Sequence, residues 1–71
     1  MRFDRAALER LRLSRGWSRQ DLADVSGVSA ETVRNMEMGN IARPWGSTVR
    51  AVATALEVEP VDLYVPSEVP A

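Results

Sequence analysis

Residues 18 to 38 contain two helix starts separated by a glycine, with almost no residues to spare, and this spacing constrains the fold more than any other feature of the chain. Ser18 and Asp21 have the form of a capping box, with Asp in place of Glu, and the preceding Trp17 can staple onto Leu22. Gly27 permits a reversal, Val28 anchors the turn inward, and Ser29 offers a fresh N-cap for a helix whose inner face is Val33 and Met36. A turn this short cannot return the chain as a relaxed hairpin, so the two helices meet at about 90–120°. Ala23 is the small residue at their approach, where a bulky side chain would push them apart.

The flanking sequence supplies helices on either side of this pair. Asp4 can cap a helix over about residues 5–14, with Ala7, Leu8 and Leu11 on one side and Gly16 ending it. The paired helices run over about 19–25, with Val25 as the last apolar position, and from Ser29 to Met38, closed by Gly39. After the loop NIARPWGS, with a Ser cap at its end, Val49, Val52, Ala53 and Leu56 form an apolar stripe over about 48–57. Pro60 suits the first turn of a fifth short helix, PVDLY, and no segment reads as a strand. The expectation is an all-α, five-helix domain over 1–65 with a helix-turn-helix at its second and third helices. Residues 66–71 carry two prolines and no periodicity, and are expected to form a flexible tail.

Composition removes several classes of function. Forty-five per cent hydrophobic and 27% charged residues describe a folding chain, and 71 residues allow one domain. With no Cys and no His, thiol chemistry and the usual zinc sites are excluded, and no cofactor or metal is expected. No apolar run approaches the roughly 20 residues of a membrane span, and MRFDRAALERLR lacks a signal-peptide core, so the expected location is cytoplasmic. The net charge of −1 hides a segregation: residues 1–50 hold all nine arginines against six acids, and residues 51–71 hold four acids and no base. Such an arrangement allows a positive face on an acidic protein.

The stretch RLRLSRGWSRQDLADVSGVSAETVRNMEMGNIARP resembles the phage Cro and repressor family, the XRE-type helix-turn-helix regulators, whose fold is lambda-repressor-like. Gly16, Trp17, Ser18, Leu22-Ala23, Gly27-Val28-Ser29, Thr32-Val33, Glu37 and Gly39 keep that family's spacing. So do Pro44, Thr48-Val49, Ala53, Ala55-Leu56 and Asp62-Leu63, so the likeness covers roughly residues 8–64. It implies a third helix that enters the major groove of duplex DNA. With Val33 and Met36 inward, the base-reading candidates are Ala30 for a thymine methyl, Glu31 for cytosine N4, Arg34 for guanine O6/N7 and Asn35 for adenine N6/N7. Phosphate contacts are expected from Ser18, Arg19 and Gln20 at the start of the second helix and from Ser29, Asn40 and Arg43 around the third. Similar proteins usually have Gln where this one has Arg19, so the amide that often braces a base-reading side chain is missing. The resemblance also implies a buried ion pair between Arg12 and Glu37.

The leading expectation is therefore a transcription regulator, a repressor from a phage, mobile element or bacterium, associated with the nucleoid. The alternative is an antitoxin-like or adaptor module that uses the fold to bind protein. No constellation of residues suggests an enzyme. Val58, Val61, Leu63, Tyr64 and Val65 either pair two copies into a weak, DNA-assisted homodimer or complete the core of one; no small-molecule ligand is expected. Trp17 and Trp45 are expected as core and loop anchors and not as platforms for single-stranded nucleic acid.

Overall fold

The helices begin where side chains satisfy their first free amides. In the computed structural model, which describes residues 2–41 and 43–65, Asp4 accepts from the Ala7 amide and starts α1 (Arg5–Ser14). Ser18 and Asp21 complete a reciprocal capping box at α2 (Arg19–Ser26), and Ser29 accepts from the Thr32 amide at α3 (Ala30–Met38). α2 and α3 end at Gly27 and Gly39, both left-handed, with φ of 78° and 77°. A β-carbon in that conformation costs about 1–2 kcal/mol, which is why the helix-turn-helix punctuation is glycine.

α4 (Gly46–Leu56) departs from the sequence expectation at its start. Its N-cap is Trp45, with no side-chain hydrogen bond, and Ser47 lies inside the first turn and caps nothing. Trp45 is also 80% exposed, so it does not anchor the loop in the core. The C-cap, Glu57, is the one non-glycine residue at positive φ among the described residues (φ 57°). Arg15 pairs with the Glu57 carboxylate at 2.8 Å and donates to the Leu56 carbonyl at 2.9 Å.

The expected fifth α-helix is a 3₁₀ helix of four residues, Pro60–Leu63. It stops because the chain beyond it is extended. Tyr64–Val65 forms β2, which pairs antiparallel with β1 (Arg2–Phe3), in contrast to the all-α expectation. The Asp4 amide donates to the Leu63 carbonyl at 2.8 Å, and Phe3 meets Tyr64 edge-on with centroids 6.0 Å apart. The expected tail, 66–71, lies outside the described residues.

The core fills the space between the helices. Leu8, Leu22, Val33, Met36, Val49, Val52, Leu56 and Leu63 are almost entirely removed from solvent. Each Leu or Met so buried contributes about 1.5–3 kcal/mol before entropic costs. Ala23 is buried between the helices, as its size suggested, but Val25 is 57% exposed and is not an inner position. Of the apolar residues at the C-terminal end, Leu63 is fully buried, Val58 and Tyr64 pack on the same core, Val65 is half-buried, and Val61 is exposed. Among the described residues no helix is long and apolar enough to cross a membrane.

Candidate nucleic-acid interface

α3 presents a defined outer stripe because its inner one is committed. Val33, Met36 and Glu37 are buried, while Glu31, Arg34 and Met38 are exposed, following the spacing of one helix face. Glu31 and Arg34 form no ion pair with each other or with any described residue, so the guanidinium is left available. The other two base-reading candidates are less open. Ala30 is half-buried and packs against the core, which places its methyl toward the protein interior; Asn35 is half-buried, its side-chain oxygen 3.3 Å from the Asn40 amide that donates to it. Met38, 46% exposed, extends the stripe by a turn. Its spacing from Glu31 and Arg34 was the signal that would have found it.

Behind this face, one carboxylate fastens three helices. Glu37, whose side chain is completely out of solvent, accepts from Arg12 Nε at 2.6 Å and Arg12 Nη2 at 2.9 Å. Arg12 also donates through Nη1 to the Trp17 carbonyl at 2.7 Å, so every nitrogen of its guanidinium has a partner. The hydrogen bond to Glu37 holds the Arg12 guanidinium above its ordinary pKa against the opposing effect of burial. A third residue joins this pair. Arg19 Nε donates to Glu37 Oε1 at 3.1 Å, with the Arg19 side chain about one-third exposed. Where similar proteins carry Gln, this chain therefore has a cation oriented by the same buried acid, and its terminal nitrogens make no hydrogen bond among the described residues. Local spacing gives no signal for that contact.

The expected phosphate contacts fall into two groups. Ser18, Gln20 and Arg19 surround the start of α2, where Ser18 accepts from the Asp21 amide and Gln20 donates to Asp24 at 2.9 Å. Ser29, Asn40 and Arg43 are all exposed. The Ser29 hydroxyl is engaged within its own cap, donating to Thr32 Oγ1 at 2.8 Å, and Asn40 donates to Asn35, whereas Arg43 has no ion pair among the described residues. Gly27 serves the turn, and Val33 anchors α3 in the core.

A pair of helices crossed by a glycine turn, with the second showing a polar outer stripe, defines a helix-turn-helix domain. Residues 8–63 match the family model HTH_3, described as Helix-turn-helix, and the chain belongs to that family, DNA-binding regulators of the XRE type. Comparison with curated proteins gave no significant match. Among solved structures, a mutant of hydroxyethylphosphonate dioxygenase is similar, with a TM-score of 0.75 and 26% identity over 96% of this chain. The matched region is 14% of that enzyme's chain, so the similarity concerns a small part of it.

Proposed function

We propose that this chain is a sequence-specific binder of double-stranded DNA that regulates transcription, acting as a repressor of the Cro or immunity-repressor type by occupying a promoter. α3 lies in the major groove, with Arg34 and Glu31 toward base edges, Asn35 beside them, and Met38 against the groove wall. The observation that supports this best is the exposed Arg34 guanidinium, which pairs with no described residue, on the outer face of a helix whose opposite face is fastened by Glu37. A side chain on a rigid, anchored element keeps its aim and loses less entropy on binding than one on a loop. Backbone phosphates are met by the start of α2, with Arg19, and by Arg43 beyond α3. Two copies meeting weakly through Val58 and Val61 would set two such helices about 34 Å apart on one face of the duplex.

The second reading is an antitoxin-like or adaptor module that uses the same fold to bind protein. Salt separates the two. A phosphate-neutralising protein loses affinity linearly in log-log with salt, by about 0.9 units of slope per phosphate. Arg43→Ala should weaken selected and scrambled duplexes alike and make the slope shallower by about one unit, as measured by fluorescence anisotropy. A flat salt response of the unmodified protein would favour the protein-binding module.

A further inference from the structure

With β1 paired to β2, Arg2 lines the same cleft as residues at the end of α3. Arg2 comes to the wall of an open cleft of about 1120 Å³, whose other charged walls are Asp4, Arg5 and Arg43 and whose floor includes Met36 and Ile41. Three guanidinium groups thus face one carboxylate, and that carboxylate already accepts the Ala7 amide at 3.1 Å. Arg5 has a second role. Its Nη1 donates to the Met38 carbonyl at 2.8 Å, and its guanidinium lies across Gly39, where any β-carbon would collide with it. Arg2 and Arg43 are exposed, and neither forms an ion pair among the described residues. Among the described residues the cleft therefore carries an excess of positive charge, and Met36 and Gly39 place it beside the last turn of α3.

We propose that this cleft seats the sugar-phosphate backbone of the DNA strand bordering the groove that α3 occupies. Arg2 and Arg43 donate to phosphate oxygens, and Arg5, held on the end of α3, braces the cleft wall. The inference rests on the DNA-binding reading above and extends its footprint to the N-terminal strand. Guanidinium forks match phosphate geometry, and backbone contacts of this kind fix register without reading sequence. An acidic peptide is the rival occupant. It would use the same charge but gains nothing from the cleft's reach to the last turn of α3.

The test uses Arg2→Gln, because the Arg2 side chain is exposed and its strand is held by backbone pairing, so the variant keeps its fold and thermal midpoint. Affinities for a selected duplex and a scrambled one are measured from about 50 to 200 mM salt, the range over which phosphate contacts show their effect. Arg2→Gln should weaken both duplexes by the same factor and make the slope shallower by about 0.9, and Arg2→Lys should restore the slope. An unchanged slope for Arg2→Gln, with Arg34→Ala still lowering preference for the selected duplex, overturns the cleft assignment and leaves the DNA reading standing. Absence of salt-dependent duplex binding by the unmodified protein overturns that reading and this inference together. Arg2-dependent binding of a glutamate-rich peptide tighter than that of the duplex overturns the inference in favour of a protein partner.

Discussion

Replacing Glu37 by alanine should destabilise the domain by about 3–5 kcal/mol, the cost of stranding a buried charge whose partner is removed. Arg12 would keep its place between α1 and α3 with a 9% exposed side chain and lose both of its carboxylate contacts. The Trp17 carbonyl alone would remain to it. Arg19 would be released as well, so the start of α2 and the end of α3 lose their common anchor. At about 0.05–0.15 kcal/mol per residue, a domain of this size has roughly 4–10 kcal/mol of total stability. The substitution therefore removes a large share of it, and urea unfolding followed by circular dichroism should show the midpoint moved to markedly lower urea. Converting both Arg12 and Glu37 to methionine should cost less than the single change, because no charge is left unpaired. A single variant milder than the double would show that the attraction within the pair, and not the stranded charge, dominates.

Arg34→Ala should leave helicity and thermal midpoint close to those of the unmodified protein, since the side chain is exposed and pairs with no described residue. Its effect should appear in discrimination. A bidentate contact to guanine is worth about 1–3 kcal/mol against the wrong base, so preference at one position of the selected duplex should fall by roughly 5- to 150-fold. Binding to scrambled duplex should fall far less. Competition between the two duplexes gives the ratio directly, and an unchanged ratio would remove Arg34 from the base-reading set.

The helices were legible because their signals are local. Asp4, Ser18 and Ser29 cap within three residues of themselves, and the glycines at 27 and 39 sit where the chain must turn left-handed. What escaped the sequence is what distant residues decide together. A strand of two residues has no period to detect, and Arg2–Phe3 becomes one only because Tyr64–Val65 arrives beside it. Beside that pairing the last helix is four residues of 3₁₀, with Leu63 buried against α1 and α4. The start of α4 was misread because Ser47 is a good cap by composition, while the backbone of Trp45 takes the position without any side-chain bond. In the candidate interface, inward Val33 and Met36 made the outer stripe of α3 readable. The approach of Arg19 to Glu37 depends on how α2 sits on α3, and the half-burial of Ala30 depends on how the core closes over it.

Titration of the ¹⁵N-labelled protein with a duplex selected from a random pool is the most direct test of the central claim, that α3 presents its outer face to DNA. Amide shifts should concentrate at Arg19 and Gln20, along Glu31, Arg34, Asn35 and Met38, and at Arg43, with shifts at Val58 and Val61 appearing only alongside these as two copies meet on the duplex. Shifts confined to Val58, Val61 and the end of α4, with α3 silent, would contradict it.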